Sequence, residues 1–344
     1  MAMTIVGPPR CVTGGVDTHL QLNVAAAVDA IGGLLGVAEF PTTSAGHSQL
    51  LSWLNGFGPV ARVGIEGTSS YGTGLARSLR RAGVEVVEVD RPNRQSRRRT
   101  GKSDPVDALE AARAALSGRA QGAAKAKDGN VEAIRALFVA KRSARDTRIK
   151  TLNQIRHLGF TAPEELRERL AGLSRNELAA TAAALRPREG ADQVAFATKT
   201  ALSLLGRRVL ALDAEKEHLD DLMGKLVKKT APELLGRFGV GVDTAAALLV
   251  AAGDNPGRIR SEAAWAHLCG VAPKPASSGK VTRWRLDRGG DRQANAALYV
   301  IVLVRMSADK ATRAYVERRL AEGRTKLEVM MDRTQSSRSA RRCA

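Results

Sequence analysis

Four carboxylates in the N-terminal part of the chain have the residue types and settings needed to hold a divalent cation. Asp17 closes the apolar run "VTGGVD" and Glu66 closes "ARVGIE". Asp104 and Asp107 stand three apart in "SDPVDAL", a spacing that puts both on one helix face. An ionised acid at the end of an apolar strand is costly unless something compensates it. Oxygen donors suit Mg2+ or Mn2+, and two such ions about 4 Å apart activate a nucleophile and stabilise a leaving oxygen in phosphoryl transfer. A plainer role exists for the helical pair. Asp104 before Pro105 reads as an Asx cap, and Asp107 completes a capping-box-like start. The two roles are compatible, since a carboxylate at a helix start keeps its outer oxygens free. Asp29, Glu39, Glu88 and Asp90 lie in turns or on strands without this convergence and read as surface.

Directly before the helical pair runs a cluster of cations, Arg94, Arg97, Arg98, Arg99 and Lys102, placed to bring a phosphate backbone to the acids. The whole chain shares that bias, with a net charge of +19 over 344 residues, which makes polyanions the first partners to consider. Aromatic residues make up only 3%, so contacts from Lys and Arg to the backbone are favoured over base stacking. The sequence has no apolar run of about 18 residues and no signal-peptide core near its N-terminus, so the expectation is a cytoplasmic protein with no membrane partner. Cys11, Cys269 and Cys343 are too few and too scattered for a zinc site or a disulfide framework.

The elements that must position these acids can be read from the same stretch. "VTGGVDTH", "LNVAAAVDA" and "LLGVAEF" predict three strands joined by short turns, the second at Gly32–Gly33. Thr43 or Ser44 caps a helix over "AGHSQLLSWLNGF"; "ARVGIEGT" is a buried strand. "SYGTGLARSLRRAG" is a helix closing on Gly83, "VEVVEVD" a strand, and "DPVDALEAARAAL" a helix. This order, a meander followed by strands alternating with helices, is that of a ribonuclease-H-like α/β fold rather than an ordinary doubly wound one, and no GxGxxG follows the first strand.

Between residues 129 and 228 strand signals vanish. "NVEAIRALFVAKRSARDTRIKTLNQIRHLGF" and "ADQVAFATKTALSLLGRRVLALDAEKEHLDDLMGKLVKK" predict long amphipathic helices, read as a coiled-coil pair. Lys141, Arg142, Arg145, Arg148 and Lys150 share a face on the first, with only Asp146 in opposition, and either solvent or a polyanion fits it. Further on, "LLGRFGVGVDTAAALLVAAGD" reads as a helix, a glycine turn and a helix, a pattern suited to a helix-hairpin-helix grip on a DNA backbone or to simple packing. A helix, a basic loop and an apolar helix follow, then a basic tail, "RTQSSRSARRCA", expected to be disordered.

"GGVDTH", "GIEGTSSYG" and "GKSDPVDA", with the later "GVGVDTAAALL", "AHLCGVAPKPASSGK" and "RGGDRQANAAL", resemble in order the DEDD-type bacterial insertion-sequence transposases of family one hundred and ten. The resemblance spans residues 12 to about 310. It implies a ribonuclease-H-like, Holliday-junction-resolvase-like DEDD domain over 10–122, a coiled-coil region over 129–228, and a small mainly helical C-terminal transposase domain over 231–322, with 323–344 as tail. By the same resemblance, Asp17, Glu66, Asp104 and Asp107 hold Mg2+. Ser278, with Ser277 in reserve, attacks a DNA phosphate to give a covalent phosphoserine intermediate. The partners it implies are donor and target DNA, a structured bridge RNA that chooses them, and further copies in a homodimer or homotetramer, all at the bacterial nucleoid. Lys280, Arg283, Arg285, Arg288 and Arg292 supply positive charge around the serine loop; Arg288 stands where relatives carry a lysine, and the two cations are not equivalent. Two rival functions use the same residues differently: a metal-dependent junction nuclease with water as nucleophile, and a noncatalytic nucleic-acid-binding protein.

Overall fold

A computed structural model of the chain describes residues 11–89, 103–120, 122–190, 192–255, 257–275, 277, 284–286, 289–326 and 329. The chain divides into two compact units, Met1–Gly129 with Gly253–Arg260, and Asn130–Ala252 with Ser261–Ala344.

The first unit is built on one mixed sheet. Strands β1 (Val12–Thr18), β2 (Leu22–Val28) and β3 (Leu34–Pro41) form the antiparallel meander. β4 (Val60–Glu66) and β5 (Glu85–Val89) continue it in parallel with β1, and a short β6 (Gly122–Ala123) closes the edge, giving the order β3-β2-β1-β4-β5-β6. Helices α1 (Ser44–Asn55) and α2 (Thr73–Arg81) cover one face, where Val16, Ala25, Ala27, Val63 and Ile65 meet Leu50, Leu54, Leu75 and Leu79. Helix α3 (Asp104–Leu116) covers the other, meeting Val24 and Ala26 through Ala108 and Val89 through Ala111 and Ala114. Alternate residues of each strand therefore serve opposite layers, and the arrangement fits the ribonuclease-H-like α/β fold.

Local signals explain these boundaries. Thr43 accepts a hydrogen bond from Gly46 N and so starts α1. Asp29 accepts from the amides of Ile31 and Gly33 and shapes the β2–β3 turn. Glu88 departs from its surface reading: it is half-buried on β5 and accepts a 2.5 Å hydrogen bond from the buried Thr68 hydroxyl. Asp90 lies outside the described residues.

The second unit is dominated by two long helices, α4 (Asn130–Phe160) and α7 (Gln193–Thr230), packed side by side. Two short helices, α5 (Glu164–Leu170) and α6 (Arg175–Ala183), occupy the stretch between them. Their core joins Leu152 and Ile155 to Leu166, Leu178, Ala182, Leu202 and Val209. Gly206 is needed where α6 crosses α7, since a Cβ there would lie 2.3 Å from Ala183 N. Then come α8 (Pro232–Leu235), a turn with Gly239 at φ +83°, α9 (Val242–Ala252) and α10 (Glu262–Leu268). A two-stranded ribbon, β7 (Pro273–Pro275) with β8 (Trp284–Leu286), interrupts the expected basic loop, and α11 (Arg292–Ala308) and α12 (Lys310–Ala321) complete the unit.

The cationic face expected on α4 is partly an internal network. The buried Lys141 ammonium donates to Asp220 on α7 and Asp243 on α9, and Arg148 Nε donates to Asp213 on α7 at 2.6 Å. Burial opposes the Lys141 charge, but the two carboxylates outweigh it and hold the ammonium above its ordinary pKa. Removing one member of such a group strands the others. Lys141→Ala is therefore expected to destabilise the fold by about 2 kcal/mol, a value below that of a fully buried pair because both acids reach water. Chemical denaturation measures it, and an unchanged midpoint would make the network a surface ornament.

Candidate metal centre and nucleic-acid interface

Two glycines decide how close α3 comes to the sheet. A Cβ at Gly15 on β1 would stand 2.1 Å from Ala112 N and 2.2 Å from Ala108 O; one at Gly64 on β4 would stand 2.6 Å from Ala111 O. The helix answers with small residues, burying Ala108, Ala111, Ala112, Ala114 and Ala115. Each glycine lies two residues before an acid, in "GVD" and "GIE", so strand alternation turns Asp17 and Glu66 to the α3 side as well. Two strand residues advance about 6.6 Å, and four helical residues advance about 6 Å. The step from Gly15 to Asp17 therefore matches the step from Ala108 back to Asp104.

The structure brings two of the four acids into one group with a histidine. Ligand atoms of Asp17, His19 and Asp104 all lie within 4.8 Å of one another, and this is the cluster of its kind among the described residues. His19 Nε2 is 3.2 Å from Asp17 Oδ2 and 3.4 Å from Asp104 Oδ2. Asp107 is buried, 3% exposed, and its charge acts on Asp17. Asp17 itself is 8% exposed. Burial raises its pKa most; His19 opposes the rise, while Asp107 and Asp104 add to it. A buried carboxylate facing two further acids is the electrostatic setting that a cation relieves.

Glu66 ends β4 beside this group but is not a member at that distance. Its backbone carbonyl accepts a 2.8 Å hydrogen bond from Thr18 Oγ1, which ties the acid-bearing ends of β1 and β4 together. The capping expectation shifts by one residue. Ser103 is the N-cap, without a side-chain hydrogen bond, and Asp104 is the first helical residue. Its carboxylate, 46% exposed, faces His19. Both acids remain in the first turn, where the helix dipole favours negative charge.

Sequence reasoning missed His19. The signal was present: it stands two residues beyond Asp17, where alternation carries it to the same face, so the cluster sets an imidazole nitrogen beside the carboxylate oxygens.

The second unit offers a basic cleft of about 290 Å³, lined by Arg142, Arg145 and Arg292 with Lys141, Asp243, Thr244 and Gln293 among its polar walls. Arg292 opens α11 behind its N-cap, Asp291, which accepts from Gln293 N and Ala294 N. The "RGGD" motif has a structural cause here. Gly290 adopts φ +88°, and a Cβ on it would stand 2.6 Å from Gly270 N, so the α11 entry lies directly on the Cys269–Gly270 turn. Asn295 Nδ2 donates to Cys269 O at 3.0 Å across the same joint. The Cys269 thiol is buried, its pKa pushed up to about 12 by burial and by Asp291, which leaves it inert. On the β7–β8 ribbon Lys274 pairs in register with the exposed Arg285. Ser277 is exposed at the ribbon's end. Ser278, Lys280, Arg283, Arg288, and the run Arg94, Arg97, Arg98, Arg99 and Lys102 lie outside the described residues.

Acids brought together from a strand end and a helix start on a ribonuclease-H-like sheet fit the class of metal-dependent phosphoryl-transfer domains. The DEDD_Tnp_IS110 family model, described as a transposase, matches residues 14–158, and the model for the transposase IS116/IS110/IS902 family matches residues 232–317. The chain belongs to this IS110 family of transposases. It is similar to an insertion element IS110 uncharacterized 43.6 kDa protein of Streptomyces coelicolor, 37% identical over 130 residues, covering 37% of this chain and 32% of that one. It is also similar to an insertion element IS900 uncharacterized 42 kDa protein of Mycobacterium paratuberculosis, 28% identical over 135 residues, covering 38% and 34%. The matched stretch thus spans about a third of each relative's length. A DEDD domain implies use of a divalent cation, for which the Asp17, His19 and Asp104 group is a possible site. Among the described residues no helix is long and apolar enough to cross a membrane.

Proposed function

We propose that this chain is a transposase that cuts and rejoins the DNA of an insertion sequence. The observation that carries it is the acidic group at the end of β1, held by α3 in a DEDD domain, in a chain that also matches the family's second domain. Asp17, Asp104 and Asp107, with Glu66 on the neighbouring strand, hold Mg2+ or Mn2+. A bound ion supplies charge stabilisation at the scissile phosphate. Residues 10–122 form the catalytic part, the helical region 129–228 a coiled coil joining copies of the chain, and residues 231–322 carry the serine loop and a helix-hairpin-helix-like grip on the backbone.

Ser278, with Ser277 in reserve, is the nucleophile. Its oxygen forms a bond to phosphorus as one DNA ester bond breaks, the serine proton leaves to a base, and the released DNA oxygen takes up a proton. Attack by a hydroxyl of the second strand reverses the step and frees the serine. Ser277 is exposed, and Lys274, Lys280, Arg283 and Arg285 flank the serine pair in sequence, cations that hold the phosphate for attack. Arg288 and Arg292 extend the same positive surface. Donor and target DNA are chosen by a structured bridge RNA, and the copies act as a dimer or tetramer at the bacterial nucleoid.

Trapping tests the chemistry. With Mg2+ and DNA carrying the element's own junction, wild type should yield a protein–DNA adduct that survives denaturation, and Ser278→Ala should not. Equal cleavage by both proteins with no adduct would transfer the reaction to water and make the chain a junction nuclease. Sequencing RNA that copurifies with the protein tests guidance: a uniform structured species supports it, and random fragments count against it.

A further inference from the structure

We infer that His19 is a metal ligand alongside the acids, making the site a mixed nitrogen–oxygen cage that selects Mn2+ over Mg2+ more strongly than carboxylates alone. This rests on the reading of Asp17 and Asp104 as cation ligands. His19 follows the end of β1 and starts the turn into β2, where its amide donates to Leu22 O at 3.0 Å, so its backbone is fixed by the hairpin itself. Its Nε2 lies 3.2 Å and 3.4 Å from one oxygen of each acid. The nitrogen is buried within reach of both carboxylates. A buried nitrogen held this close to two carboxylates is placed as a ligand is.

The spacings agree with a shared ion. Ligands about 2.1 Å from a six-coordinate metal stand about 3.0 Å apart when adjacent. Around a four-coordinate metal with bonds of about 2.0–2.1 Å they stand about 3.3–3.4 Å apart. The observed 3.2 and 3.4 Å fall within the range these two geometries bracket. His19 is 43% exposed on its side chain, so the imidazole borders the site's open side and the ion keeps room for a phosphate oxygen. Imidazole favours first-row transition ions over Mg2+ and Ca2+, with Mn2+ at the weak end of that series, so an added nitrogen raises Mn2+ affinity more than Mg2+ affinity.

The test uses the full, tag-free chain and Mn2+ alone, without DNA. Pulsed electron paramagnetic resonance of the wild type with Mn2+ should show coupling to an imidazole nitrogen. In His19→Asn the coupling should disappear and Mn2+ affinity by calorimetry should fall roughly tenfold, while Mg2+ affinity changes much less. Absence of nitrogen coupling in the wild type overturns the inference without needing any variant. So does Mn2+ affinity in His19→Asn equal to wild type. Asp17→Asn separates the two readings: if it loses Mn2+ binding while His19→Asn does not, only the histidine's role fails. If Asp17→Asn binds Mn2+ as wild type does, the carboxylate cage falls and this inference with it.

Discussion

Gly15→Ala is expected to cost on the order of 3 kcal/mol and to weaken metal binding, although it touches no acid. The added methyl would stand 2.1 Å from one backbone atom of α3 and 2.2 Å from another, where ordinary contact begins near 3.4 Å. Backbone inside a helix cannot rotate aside, so α3 must lift from β1 by more than an ångström. Asp104 and Asp107 ride on its first turn and move with it. Gly14→Ala is the matched control, one residue away on the opposite face. There the methyl meets the Leu54 Cδ1 atom at 2.9 Å, the end of a flexible side chain. A cost of about 1 kcal/mol is expected, part of it returned because alanine loses less backbone entropy than glycine. Thermal melts of the two variants, with and without Mn2+, measure both effects. Equal stability of the two would mean that the helix is not seated through Gly15.

Much of this arrangement was legible in the sequence because its causes are local. Alternation and turn residues define the meander, and the apolar periodicity of the long helices survives in α4 and α7. The pairing of "GVD" with "GIE" is readable too, since a glycine two residues before an acid places a bare backbone and a carboxylate on one face. What periodicity does not carry is the identity of distant partners. The cations on α4 look like an open face until Asp220 and Asp243, 79 and 102 residues from Lys141, arrive from other helices. The same holds for Thr68 and Glu88, which meet only when β4 and β5 pair. The span of α3 agrees with its sequence reading, and only its cap falls one residue earlier, at Ser103, because Asp, Ser and Pro are all good helix-start residues and their order permits two caps. The β7–β8 ribbon escaped notice because three-residue strands, one of them bounded by prolines, carry no period to detect.

Asp17→Asn should move stability and activity in opposite directions, which separates a metal ligand from a structural acid. In the metal-free protein the carboxylate is buried and faces Asp107 and Asp104, and its pKa is raised as a result. The folded state therefore disfavours the charge, and a neutral amide of the same shape relieves it. The metal-free variant is expected to melt at the same temperature as wild type or a few degrees higher. Adding Mg2+ or Mn2+ should raise the melting temperature of wild type, since a ligand that binds only the folded state stabilises it, and should leave Asp17→Asn unmoved. Metal-dependent DNA cleavage by the variant should fall at least about 10²-fold. A structural acid behaves otherwise: its loss would destabilise the metal-free protein and leave the metal-induced shift intact. Asp29, which closes the β2–β3 turn through two backbone amides, is the internal standard for that second pattern. Asp29→Asn should keep the thermal response to Mn2+ even if its melting point drops, because the group it supports is a turn and the group Asp17 joins is a charge cluster awaiting a cation.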